Sequence, residues 1–133
     1  RTPTLRLVDF DDFYFSNELC RVMANILKEG SSIIAITFDN ECTFPDGGRV
    51  RIANALKTNA TVTDMDFLGD CDESVCNTLA TVLLCNSTLQ NLTLQPPEEG
   101  AGEGWLPEGA SGGWLCPIFL SLGMNTTLKR LSV

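Results

Sequence analysis

The stretch Ile52-Ala-Asn-Ala-Leu-Lys-Thr-Asn-Ala-Thr-Val-Thr-Asp-Met-Asp-Phe67 decides the fold. Its two halves follow different periods. Ile52, Ala53, Ala55 and Leu56 are offset by one, three and four residues, which places them on one stripe of a helix. Asn59 then closes that helix, because Asn tolerates the left-handed conformation just past a helix end. Beyond it, Val62, Met65 and Phe67 spell apolar-x-x-apolar-x-apolar, and Asp64 and Asp66 alternate with the last two anchors, as in a strand with one buried face.

The same unit recurs along the chain. The helical half returns as Met23-Ala-Asn-Ile-Leu-Lys-Glu-Gly30, Leu79-Ala-Thr-Val-Leu-Leu-Cys-Asn86 and Ile118-Phe-Leu-Ser-Leu-Gly-Met-Asn125. The strand half returns as Ser31-Ser-Ile-Ile-Ala-Ile-Thr-Phe38, Ser87-Thr-Leu-Gln-Asn-Leu-Thr-Leu94 and Thr126-Thr-Leu-Lys-Arg-Leu-Ser-Val133. Thr2-Pro-Thr-Leu-Arg-Leu7 reads as a degenerate fifth copy with Leu5 as its middle anchor. The middle anchors Leu5, Ile36, Met65, Leu92 and Leu131 are then separated by 31, 29, 27 and 39 residues on subtraction. One such unit cannot bury its apolar side alone, whereas stacked neighbours can. The expected fold is therefore α/β, a solenoid with a parallel sheet on one side and helices on the other. It is read as one domain over 1–133. Strands are expected near 4–8, 34–38, 63–67, 90–94 and 129–133, and helices near 17–29, 48–58, 74–85 and 114–124. Ala24, Ala53 and Ala80 share one register, as expected where helices press on the sheet.

These anchors, with a helix of the form apolar-Ala-x-x-Leu-x-x-Asn followed by Thr-Leu, resemble leucine-rich repeats of the ribonuclease-inhibitor type. Similar arrays occur in NOD-like receptors, Ran GTPase-activating proteins and the tropomodulin cap domain. The resemblance covers nearly the whole chain and implies a curved horseshoe with strands on its concave face. The usual Asn or Cys eight residues past the first anchor is replaced by Phe10, Glu41, Asp70 and Pro97. Cys42 and Cys71 sit one residue later, so either the loop is shifted by one or the ladder is lost. Arg1 begins the chain without a Met or a signal-like segment, and neither end shows a capping repeat. Both features suggest a fragment of a longer array.

The chain carries 9 basic and 17 acidic residues, a net charge of −8. Such a chain repels phosphate backbones and anionic membranes and attracts basic protein surfaces. No apolar run approaches the roughly 20 residues that span a bilayer. Of the six cysteines, Cys20, Cys76 and Cys116 fall in apolar helical stretches and read as reduced, buried thiols. That favours the cytoplasm; six cysteines and four Asn-x-Thr triplets make an extracellular setting the alternative. Three of those triplets, at Asn59, Asn86 and Asn125, share one repeat position and are explained by the repeat rather than by sugars. Asn91 would sit on a strand.

If the anchors point into the core, the residues between them line the concave face. Candidate contacts to a partner are Arg6, Thr37, Asp39, Asp64, Asp66, Leu68, Asn91, Thr93 and Arg130. Asp64 and Asp66 make this face suited to Lys or Arg from a partner. Residues 95–113, with six Gly, three Pro and four Glu, form a long loop in place of the short connection of other repeats. Its Trp105 and Leu106 are an apolar pair in flexible acidic sequence, a second candidate contact. Phe13 and Phe44 occupy equivalent loop positions and are expected to plug the core.

The chain contains no His, which removes His-dependent nucleophilic catalysis and mixed Cys/His zinc sites from this segment. Asp70-Cys-Asp-Glu73 lacks the Gly and closing Glu of a calcium loop. The expectation is no enzyme, no cofactor and no metal. The expected function is a protein-binding platform, with a structural spacer or a non-catalytic regulator of a small GTPase as alternatives. Oligomeric state is not legible.

Overall fold

The computed structural model describes residues 5–29, 31–69, 71–95 and 116–133. Strands and helices alternate: β1 (Leu7–Phe10), α1 (Asn17–Glu29), β2 (Ala35–Phe38), α2 (Gly48–Ala55), β3 (Asp64–Phe67), α3 (Glu73–Cys85), β4 (Asn91–Leu94), α4 (Cys116–Leu122) and β5 (Arg130–Ser132). The strands form one five-stranded sheet in the order β1-β2-β3-β4-β5, every neighbouring pair parallel. Each helix packs on the next, α1 on α2, α2 on α3 and α3 on α4. Parallel neighbours require a crossover of a dozen or more residues, and the helices supply it. Among the described residues no helix is long and apolar enough to cross a membrane.

The register corrects the first repeat. Its strand is Leu7–Phe10 rather than residues 4–8, and Val8, not Leu5, lies opposite Ile36. The first unit therefore reads Leu5-x-x-Val8-x-Phe10, and the first spacing is 28 residues (36 minus 8) rather than 31. The reason lies in packing. Phe10 begins a column of rings that continues through Phe38 to Phe67, with centroids 5.4 and 5.2 Å apart. A strand anchored on Thr2 and Leu5 would leave Phe10 outside that column.

The core lies between sheet and helices. Ile36, Phe38, Met65, Phe67, Leu92 and Leu94 point into it from the strands, and Leu27, Ile52, Leu56, Leu79 and Leu83 meet them from the helix side, all buried. Ala24, Ala53 and Ala80 are buried too. In the loops, Phe15 stacks on Phe44 at 4.6 Å, and the Phe15 amide donates to the Thr43 carbonyl at 2.9 Å. Phe15 is thus the partner of Phe44; Phe13, the residue expected from spacing, remains exposed. The difference follows from the later start of β1, which puts Phe15 five residues past Phe10 as Phe44 lies six past Phe38.

Three asparagines tie successive repeats together. The Asn86 amide group donates to the carbonyls of Leu56 (2.8 Å) and Asn59 (3.0 Å) in the preceding repeat. Its carbonyl oxygen accepts from the backbone amides of Thr88 and Leu89, both at 2.7 Å. Asn59 reaches back to Leu27 O at 3.1 Å, and Asn125 to Leu83 O at 2.8 Å. Each also accepts from the two backbone amides that lead into its own strand. A helix leaves its last carbonyls without intrahelical donors, and these side chains satisfy some of them across the repeat boundary. At the other end of the strands the thiols of Cys42 and Cys71 donate to Phe10 O (3.3 Å) and Phe67 O (3.1 Å). Cys42 thus bonds to the preceding repeat, whereas Cys71 bonds within its own.

Candidate functional site

The face of the sheet away from the helices is lined in rows, because matched register brings equivalent residues side by side about 5 Å apart. One row is Leu7, Ala35, Asp64, Asn91 and Arg130. The next is Asp9, Thr37, Asp66, Thr93 and Ser132. The ladder continues past the strand ends, where Asp39 N donates to Phe10 O and Leu68 N to Phe38 O. That adds Asp39, Leu68 and Gln95 at the loop edge. The central residues of these rows are half-buried, while Leu7, Asp9 and Arg130 are exposed.

Hydrogen bonds hold several of these side chains in place. The Asn91 amide donates to the Asp64 carboxylate. Thr37 donates to Asp66 Oδ2 at 3.3 Å, and Gly69 N donates to Gln95 Oε1 at 3.1 Å. Gly69 has a φ of +80° and passes close to the Asn40 backbone, a position that favours glycine on both counts. Asn91 and Thr37 thus orient two carboxylates without neutralising them.

The β1–β2 corner concentrates more charge. Asp39 Oδ1 accepts from the amides of Glu41 (2.9 Å) and Asp12 (3.3 Å). Carboxylate oxygens of Asp11, Asp39 and Glu41 lie within 4.8 Å of one another. The hydrogen bond from Asp11, helped by the two backbone donors, holds the Asp39 carboxyl below its ordinary range. The same bond to Asp39, then that carboxylate's charge, pushes Asp11 up. As pH rises, Asp39 therefore ionises before Asp11.

The geometry revises the residue set. Thr37, Asp39, Asp64, Asp66, Leu68, Asn91, Thr93 and Arg130 lie on the rows just described or at their loop edge. Arg6 does not. It precedes β1, and its carbonyl accepts from the amides of Ile34 and Ala35. Leu7 and Asp9 stand where Arg6 was expected, because the strand begins three residues later. Anchoring on Leu5, Val8 and Phe10 points to Asp9, whereas Asp11 and Glu41 lie on loops that no period marks. Trp105 and Leu106 lie outside the described residues.

A cavity of about 640 Å³ opens at the loop edge, lined among others by Phe44, Arg49, Asp72 and Val75. Its Arg49 is buried, with the guanidinium 4.3 Å from the Phe44 ring centroid and 5.4 Å from that of Phe67. It donates to the carbonyls of Leu68 (3.2 Å) and Cys42 (3.4 Å). This cation braces the loops between repeats.

No family model matches the chain, and no curated protein matches it. A solved structure, described as leiomodin-1 actin-binding site 2, superimposes with a TM-score of 0.65 at 19% identity, covering 93% of this chain and 68% of that one. At that identity the likeness establishes the fold: an α/β arrangement of leucine-rich-repeat kind with a parallel sheet.

Proposed function

We propose that this chain is a non-catalytic protein-interaction module whose partner presents lysine or arginine side chains to the open sheet face. In this reading the repeats belong to the ribonuclease-inhibitor type and curve so that this face is concave. The observation that carries the proposal is the run of carboxylates from Asp9 and Asp11 through Asp39 and Glu41 to Asp64 and Asp66, on a face that no helix among the described residues covers. Fixed like charges on one face attract an opposite partner surface and raise its rate of encounter. The structural neighbour is described as an actin-binding site, which supports a protein partner and makes actin one protein to assay. Four of the six cysteines are buried thiols, which supports a reducing compartment. The long loop with Trp105 and Leu106 is proposed as a second contact.

The test compares wild type with an Asp9→Lys/Asp66→Lys variant. Asp9 is exposed and the hydrogen bond that Asp66 accepts from Thr37 is long, at 3.3 Å, so circular dichroism should be unchanged. Immobilised chains are offered native lysate and, separately, purified actin, at low and high salt. The reading expects a partner held by wild type, weakened by salt, and lost in the variant. Equal capture by both chains refutes the role of this face.

A further inference from the structure

The loops that lead from strand to helix differ in length. Nine residues, 39–47, lie between Phe38 and Gly48, whereas five, 68–72, lie between Phe67 and Glu73. The longer loop leaves a step beside the shorter one, and the cavity of about 640 Å³ occupies that step. Its walls are residues 42–47, the first turn of α2 with Arg49 and Val50, and the start of α3 with Asp72, Ser74 and Val75. A further strand and helix flank these two repeats on each side, so the cavity belongs to the inside of the stack. Its volume falls within the roughly 300–1,000 Å³ of ligand-sized clefts.

Depth sorts the lining by chemistry. Cys42, Arg49 and Val75 are 4, 8 and 2% exposed and form the floor. Phe44 and Val50 on the walls are half-buried, and the carboxylates of Asp46 and Asp72 are exposed at the mouth. A cation pushed to the floor meets the charge of Arg49, and an anion at the mouth meets two carboxylates. What fits is an uncharged apolar group inside, with a cation beside it at the mouth. The mouth also runs into the acid corner, because Asp39 and Glu41 precede Cys42 on the same loop.

We propose that this cavity takes a short segment of the protein partner in which a large apolar residue stands next to Lys or Arg. The apolar side chain packs on Phe44, Val50 and Val75, and the basic one pairs with Asp46 and Asp72. The inference rests on the reading of this chain as a binder of basic protein surfaces, and adds to it the anchor that fixes where the partner sits. Carboxylates spread over an open face speed encounter, whereas a side chain that fills a pocket slows release.

Methyl NMR of the whole chain tests this at Val50 and Val75, with capped tripeptides as probes at about 0.15 M salt. Arg-Phe-Lys should shift both methyl sets saturably. Arg-Gly-Lys lacks the anchor and Glu-Phe-Glu reverses the charge, so each should bind at least about tenfold more weakly. Ser74→Trp, at an exposed position on the mouth, should abolish the shifts. Asp46→Asn/Asp72→Asn should weaken Arg-Phe-Lys about tenfold, and Asp72→Asn keeps an acceptor for the Val75 amide, so α3 stays capped. The spectra themselves report that each variant is folded. Asp9→Lys/Asp66→Lys should leave the shifts unchanged, so failure of the open sheet face and failure of the cavity read separately. Methyls of Val50 and Val75 that do not move with Arg-Phe-Lys overturn the proposal. So do equal affinities for the three peptides, or shifts that survive Ser74→Trp.

Discussion

Replacing Asn86 by Ala should be the most damaging polar substitution in the chain. Its side chain makes four hydrogen bonds, at 2.8, 3.0, 2.7 and 2.7 Å, and is 6% exposed. At about 0.5–1.5 kcal/mol net for each bond, the sum is about 2–6 kcal/mol. The four backbone groups left behind are enclosed between repeats and regain water only by opening the junction. The expected loss is therefore about 3–5 kcal/mol, a large part of the roughly 5–15 kcal/mol that holds a domain folded. Asn125 is only half-buried, so Asn125→Ala should lose about 1–2 kcal/mol. Asn91 holds only the Asp64 carboxylate on the open face, and Asn91→Ala should stay below about 1 kcal/mol. Urea unfolding followed by circular dichroism reads these losses. With a slope of about 2 kcal/mol per molar urea, the Asn86→Ala midpoint falls by about 1.5–2.5 M. Glycan acceptors or ordinary surface groups would give equal, small shifts at all four Asn-x-Thr positions. An Asn86→Ala midpoint no lower than that of Asn91→Ala would refute the clamp.

Three further outcomes follow from buried groups. Arg49→Lys keeps the charge but loses the planar fork between Phe44 and Phe67 and its paired carbonyl bonds, so thermal unfolding should show a loss of about 1–2 kcal/mol, and more for Arg49→Ala. Burial pushes the Cys76 thiol up to about 12 from an ordinary 9.0. The folded state then keeps this proton over a range in which the unfolded chain has lost it. Stability should be full below pH 9 and decline as pH rises toward 12, less steeply in Cys76→Ala. At neutral pH a thiol reagent should label Cys85 and Cys116 first and the four buried thiols only on unfolding.

The sequence by itself determined the unit and its stacking. Helix spacing at Ile52, Ala53 and Leu56 and strand spacing at Val62, Met65 and Phe67 are local properties, set by 3.6- and 2-residue periods, and they required a parallel sheet backed by helices. It also located the asparagines, because a helix must end before the next strand can begin. Only the tertiary structure decided which residues sit side by side. Thr2 and Leu5 satisfy the anchor spacing loosely, but a strand's register depends on what its neighbour offers. The Phe38 ring fixes Phe10, and Phe10 fixes Leu7 and Asp9 on the open face. Loop length is equally silent about destination, so Phe13 and Phe15 could be told apart only once Phe44 was in place. The acid corner of Asp11, Asp39 and Glu41 joins residues far apart in the chain, and no periodicity marks it. Periodicity says which way a side chain points; packing between repeats says what it meets there.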